Sequence, residues 1–326
     1  MSSLDISRLS NIEKANQDYL TGLDYLQKSC LKCRTKPNYL DAIPFFKKAA
    51  DVYRGCGQFE NEIQTRERLV LCFNNEKSYW EEGREYEKMC HTQINQLKKA
   101  QEAKNSIINS FNSFVANKSY EDGIKAITKA SDFFIDKGNK DEAEEILEFS
   151  FEGVVKYYHV ITLNEAESHT YIYECIDKYI DLLFEREKFS KSSNISQRAA
   201  ELIKEENKEE YQMICKYYGF WALSELLGKN DKQYQKIIEE GMDIEKDGNN
   251  LCSKVNKLVN IIKQKSKENE TLIKKLYSEI ARNVPSSMAR IINNKYVQTN
   301  IIKAQDEINT NIDEDVCIGF NSLWPP

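Results

Sequence analysis

A stretch of the sequence recurs 81 residues further on without a gap, and nothing else in the chain limits its fold as much. Residues 39–57 read YLDAIPFFKKAADVYRGCG and residues 120–138 read YEDGIKAITKASDFFIDKG. The identical pairs are Tyr39/Tyr120, Asp41/Asp122, Ile43/Ile124, Lys48/Lys129, Ala49/Ala130, Asp51/Asp132 and Gly57/Gly138. An interval of this size is two units of about 40 residues, a period typical of stacked supersecondary units. A unit between the two copies is expected from near Asn75, where Tyr79, Gly83, Tyr86 and Met89 recur at helical spacing.

The residue types fit pairs of packed helices. Ala42, Phe45, Phe46, Ala49, Ala50 and Tyr53 follow the i, i+3, i+4, i+7 rule and so share one face. Small residues (Ala42, Ala49, Gly123, Ala130) admit a neighbouring helix closely, and Tyr and Phe fill the space beside them. Gly57 and Gly138 stand where the first helix of each unit should end, since Gly accepts the left-handed conformation after a helix. Glu60 and Asp141 follow, suited to the positive end of the next helix. Pro44 is tolerable only if its helix begins near Asn38–Asp41. The period is slightly longer than the 34 residues of a simple tetratricopeptide repeat, and the fold expected is all-α: a tetratricopeptide-like superhelix of helix pairs, a right-handed solenoid.

Composition supports this. With 12 Gly and 5 Pro in 326 residues, the chain has few breakers, and its 30% charged residues alternate in sign, as on wet helix faces. A hydrophobic share of 40% argues against disorder. The net charge of −6 excludes a general attraction to nucleic acid. Charge is concentrated in two runs, seven lysines over residues 254–275 and six acids over residues 140–152. Each reads first as a solvated helix face. No secretory leader is read in residues 1–20, and no apolar run is long enough to span a bilayer. Nine cysteines, an odd number, suit reduced thiols better than a disulfide framework. A cytoplasmic protein, monomeric in isolation, is the expectation.

Beyond residue 150 the pattern loosens. Helices are expected over 165–189, 197–218, 219–240, 251–282 and 287–309, with a loop at Lys188–Asn194 and a tight turn at Gly228–Asp231. This divides the chain into a helical-repeat sheet (1–240), a C-terminal helical bundle (241–310) and an acidic, partly apolar tail (311–326).

No catalytic constellation emerges. His91, His159 and His169 match no metal-binding spacing, and His159 sits among Tyr157, Tyr158 and Val160, a core-like setting. No phosphate-cradling glycine loop occurs. Cys30 and Cys33 form a lone CxxC without the second pair that a zinc site needs. The expectation is a protein that holds others, with no enzymatic activity, cofactor or metal. The neighbourhood of the CxxC is more informative. Lys28, Lys32, Arg34 and Lys36 surround Cys30, Leu31 and Cys33, so the loop either touches an anionic membrane or is an ordinary helix connection.

At this loop and the repeat after it, the chain resembles the soluble NSF attachment proteins, and their gamma branch in particular. The resemblance starts at Tyr25–Leu26–Gln27–Lys28 and continues through Cys30–Lys36, Pro37–Asn38–Tyr39, Ala42–Ile43, Lys48–Ala49–Ala50 and Gly57–Gln58–Phe59–Glu60. It returns at Ile127–Thr128–Lys129–Ala130–Ser131 and Gly138. It is fair over residues 15–150, weak to 230 and hard to see beyond. The resemblance implies a curved sheet of helix pairs ending in a helical bundle. It implies an adaptor that coats assembled SNARE complexes and recruits the NSF hexamer for SNARE disassembly in vesicle fusion and intracellular protein transport. It also implies peripheral membrane contact through the loop containing Lys28, Cys30, Leu31, Lys32, Cys33, Arg34 and Lys36. Lys48 and Lys129 become candidate SNARE contacts; Glu145 stands near a position that is basic in other members. Asp313, Glu314, Asp315 and Leu323 become candidate NSF contacts, although the family's pattern of acids before a terminal Leu is met only loosely. The alternative is a generic helical-repeat scaffold for a peptide or a subunit of another complex.

Overall fold

The computed structural model describes residues 3–28, 35–164, 169–206, 210–244, 250–264 and 269–299. Every regular element among them is helical. The chain falls into two compact units, Met1–Cys175 and Ile176–Pro326. The candidate contact residues Cys30, Leu31, Lys32, Cys33 and Arg34, and Asp313, Glu314, Asp315 and Leu323, lie outside the described residues.

In the first unit, α1 (Ser3–Leu26), α2 (Tyr39–Gly55), α3 (Phe59–Asn75), α4 (Tyr79–Thr92), α5 (Ala100–Ala116), α6 (Tyr120–Asp136) and α7 (Lys140–Asn164) follow one another. Each packs against the next, and α4 also meets α6, as α5 meets α7. The expected middle unit is therefore present as α4–α5. A π turn, Gln93–Leu97, lengthens α4. Ala42, Phe46, Ala49, Ala50 and Tyr53 of α2 are buried, as their spacing predicts, and Phe45 is half-buried and stacked on Tyr25 at 5.5 Å. Burying each large apolar side chain contributes roughly 1.5–3 kcal/mol. α2 begins at Tyr39, capped by Asn38, whose side chain accepts the Asp41 N–H at 3.1 Å. Pro44 then lies early in the helix and on its exposed side. Close approach of a glycine in this unit is tightest at Gly153, where a Cβ would stand 2.5 Å from the Phe111 ring.

Six joints between helices among the described residues share one design. At the first, Gly57 N–H donates to the Arg54 carbonyl (3.1 Å) and Gln58 N–H to the Tyr53 carbonyl (2.8 Å). This pair of bonds defines the left-handed helix stop. The same pair recurs at Lys77/Ser78, Lys118/Ser119, Gly138/Asn139, Glu187/Lys188 and Lys229/Asn230. Gly57 and Gly138 hold positive φ, as their places in the repeat imply. Lys77, Lys118, Glu187 and Lys229 adopt φ of 57–62° without glycine's freedom, so sequence reading finds a glycine at only some of the joints.

α8 (Thr170–Glu185) leads into the second unit, with α9 (Phe189–Glu206), α10 (Tyr211–Leu227), α11 (Asp231–Ile244), α12 (Leu251–Lys263), α13 (Glu270–Ala281) and α14 (Ser286–Ile292), the last continued by a π segment, Asn293–Gln298. α9 to α13 each pack on the next. The tight turn at Gly228–Asp231 is where the sequence places it, but four expectations here need correction. First, Lys188–Asn194 is not a loop: α9 starts at Phe189, and its serines serve as small packing residues. Ser192 is fully buried, its hydroxyl 3.0 Å from that of Ser224 on α10, and Ser193 bonds Glu225. Second, no boundary falls at 218/219, because Tyr217, Tyr218, Gly219 and Phe220 sit in the middle of α10. That helix is buried on all sides and so shows no amphipathic period to read. Third, 251–282 is two helices packed together, α12 and α13, since residues 263–270 (KQKSKENE) offer no apolar side chain to bury. Fourth, His159 is exposed, while its neighbour Tyr158 is the core residue.

The candidate anion cleft and the buried charge network beneath it

Three helices that open successive pairs, α2, α4 and α6, frame a cleft of about 190 Å³ in the first unit. Arg54 reaches it from the last turn of α2, Arg84 and Lys88 from α4, and Lys129 from α6. One carboxylate, Glu87, faces these four cations. Arg84 pairs with Glu87 at 2.5 Å and lies 5.8 Å from the centre of the Trp80 ring. Burial raises the Glu87 pKa, while Arg84 and Lys129 hold it down in part. Arg54 and Lys129 are exposed and form no ion pair among the described residues.

His91 closes the cleft, its ring edge-on to Phe133 with centroids 5.2 Å apart. Its Nδ1 is buried and has no hydrogen-bond partner. Burial lowers the pKa of this imidazole, and Arg54 and Lys129 lower it further, against an opposite pull from Glu62. It is therefore neutral at neutral pH. Cys90 beside it is buried, which pushes its thiol up to about 12 and leaves it unreactive.

Beneath the cleft runs a network of buried charge. Lys88 Nζ donates to Glu85 at 2.6 Å, and Glu85 accepts from Arg66 at 2.5 Å. Arg66 also donates to Glu62 at 2.8 Å and reaches Asp51 at 3.4 Å. The Thr92 hydroxyl completes Glu62 at 3.2 Å. Arg66, Glu62 and Glu85 are almost wholly withdrawn from water. Such burial is tolerable only because every charge has a close opposite partner. The network ties α2, α3 and α4 together and holds the Lys88 ammonium.

The two lysines singled out by the repeat differ in their surroundings. Lys48 is exposed but paired with Asp18 of α1 at 2.9 Å, whereas Lys129 stands in the cleft. Glu145 is engaged by Lys104. Lys28 and Lys36 are exposed, and the ends of their loop are drawn together by Asn38 N–H donating to the Tyr25 carbonyl at 2.9 Å. Sequence reasoning missed Arg54, Arg84, Lys88 and His91. The repeat itself concealed Arg54, because its counterpart 81 residues on is Ile135. Among the described residues no cluster of three or more His, Cys, Asp or Glu could hold a metal ion, and no helix is long and apolar enough to cross a membrane. The six described cysteines are buried and unbridged.

The helix pairs and their shared joints make this chain a TPR-like helical-repeat protein. The sequence matches no protein-family model and no curated protein. Among solved structures it is similar to a Podospora anserina putative kinesin light chain with nearly identical TPR-like repeats, at 11% identity and a TM-score of 0.32, over 64% of this chain and 96% of that one. It is similar to BtubC from P. vanneervenii at 9% identity and a TM-score of 0.33, over 75% and 91% of the two chains. A circular tandem repeat protein matches at 10% identity and 0.33, over 86% and 78%. Likeness at this level carries no argument about function.

Proposed function

We propose that this protein is an adaptor that grips an assembled SNARE complex through the cationic face of α2, α4 and α6 and recruits the NSF hexamer to it. The observation that carries the reading is the convergence of Arg54, Arg84, Lys88 and Lys129 on one cleft, on helices that open successive repeats, in a chain whose overall charge is negative. Cations placed against the general charge of the chain suit an acidic protein surface and give orientation as well as attraction. The sequence resemblance at Tyr25–Glu60 and Ile127–Ser131 supports the same partner. In this reading the role is that of a non-enzymatic holder, and the loop flanked by Lys28 and Lys36 rests against the anionic surface of the membrane bearing the complex.

The test is an affinity capture with the recombinant chain. Assembled SNARE bundles should be retained, and NSF should then bind to the loaded chain. Joint reversal of Arg54 and Lys129 to Glu should weaken bundle capture by at least roughly tenfold, the effect of about 1.4 kcal/mol. Capture of a short peptide at undiminished strength in high salt, with no capture of bundles, would instead establish the generic scaffold.

A further inference from the structure

The cleft holds more positive charge than a carboxylate can use. Arg84 and Lys88 already have acidic partners, Glu87 and Glu85. Arg54 and Lys129 have none, and His91 adds a buried Nδ1 with nothing to bond. A carboxylate brings one charge and two oxygens. A phosphoryl group brings about −1.5 to −2 charge and three strong acceptor oxygens. Guanidinium forks such as those of Arg54 and Arg84 match that geometry better than an ammonium does.

We infer that the cleft between α2, α4 and α6 is a seat for a phosphoryl group, gripped by Arg54 and Lys129 with His91 in its wall. The inference uses the same cleft as the adaptor reading and deepens it: partner surfaces bearing a phosphoryl group at the contact bind more tightly than unmodified ones. The group can arrive on a phosphorylated side chain or on a free polyphosphate, and the chemistry of the seat is the same for both.

His91 supplies the reporter. The charged groups that share its cleft or act on it are Arg54 on α2, Glu62 on α3, Arg84, Glu87 and Lys88 on its own helix, and Lys129 on α6. Burial, with the two unpaired cations, holds its imidazole neutral. An anion seated among those cations cancels their push, so His91 should titrate higher when the seat is filled.

The experiment is an NMR titration of the full-length chain carrying labelled histidines, with His91 assigned from a His91→Gln variant. Inorganic phosphate is compared with chloride at equal ionic strength. Phosphate should raise the His91 pKa by roughly one pH unit, the effect of an opposite charge within ~4–6 Å, and leave exposed His159 unmoved. The Arg54→Met, Lys129→Met double variant alters only exposed positions and should abolish the response while its thermal melt stays unchanged. O-phosphoserine and inositol hexakisphosphate, run as further arms, should both elicit the shift, and the tighter of the two identifies the source. No response of His91 to any of the three probes overturns the inference, as does a response that survives the double variant. SNARE capture by the same samples separates the two readings. Capture without a phosphate response sinks only the seat, and a phosphate response without capture sinks only the adaptor.

Discussion

Lys48 and Lys129 occupy the same register of the repeated block, yet they should respond differently to mutation. Lys48 is held by Asp18, so Lys48→Glu places two acids side by side on α1 and α2 and is expected to act on stability more than on partner binding. Lys129→Glu removes an unpaired cleft cation and should weaken capture of an acidic partner by roughly threefold or more, with little effect on the melt; binding and melting curves of the two variants check this. The joints give a second prediction. Replacing Lys77 or Lys118 by Gly relieves a left-handed lysine, a strain of roughly 1–2 kcal/mol, against roughly 0.5–1 kcal/mol of added chain entropy in the unfolded state. A small net gain in urea stability is expected, whereas Gly57→Ala should lose stability because φ there is +70°. A third concerns Glu82, buried on α4 and bonded by the Asn74 side chain at 3.2 and 3.3 Å. Burial raises its pKa, and Asn74 only partly offsets this. A carboxyl whose folded pKa is raised stabilises the fold below its unfolded pKa, and that contribution is lost as pH rises through the folded value. Glu82→Gln should therefore be more stable than the parent at pH 7, with the difference closing as pH falls toward the ordinary carboxylate range.

At the scale of elements, the network around Arg66 welds α3 to α4. Arg66→Leu would leave Glu62 buried without a counter-ion, and Glu85 with Lys88 alone, and should cost about 3–5 kcal/mol in urea unfolding. The i,i+4 spacing of Glu62 and Arg66 was legible in the sequence, but a pair at that spacing is usually a surface pair; its burial depends on Glu85, 19 residues away. The same limit governs the other helices. α2 and α6 were readable because each shows one apolar face and ends in a glycine. α10 was not, because a helix buried all round offers no period. The start of α9 was not, because serines used to bring two helices close look like loop residues when read one at a time. Of the cleft, only Lys129 could be nominated from the sequence, since identity between the copies pointed to it. Arg54, Arg84, Lys88 and His91 come together where α2, α4 and α6 line one cleft, a juxtaposition that no single helical period records.

Over the whole molecule, a net charge of −6 sets the long-range field, and the cleft opposes it locally. Binding to an acidic partner should weaken as salt rises toward physiological strength, where screening acts beyond about 8 Å. In the chain with Arg54 and Lys129 reversed to Glu, the remaining cleft cations Arg84 and Lys88 are matched by Glu87 and Glu85 and repulsion dominates, so residual binding should rise with salt. Opposite signs of salt dependence in the two chains, read by titration at several ionic strengths, would show that the cleft carries the attraction; equal signs would count against it. The helix joints bear on how such a chain arose. Six of these joints close on their own backbone amides, the one at Gly57 with an added bond from the Arg8 side chain of α1 to the Cys56 carbonyl. A block of two helix pairs can therefore be copied in tandem without redesigning the connection at either end. The 81-residue echo has the length of such a block, and Gly57 and Gly138 mark the same joint in its two copies.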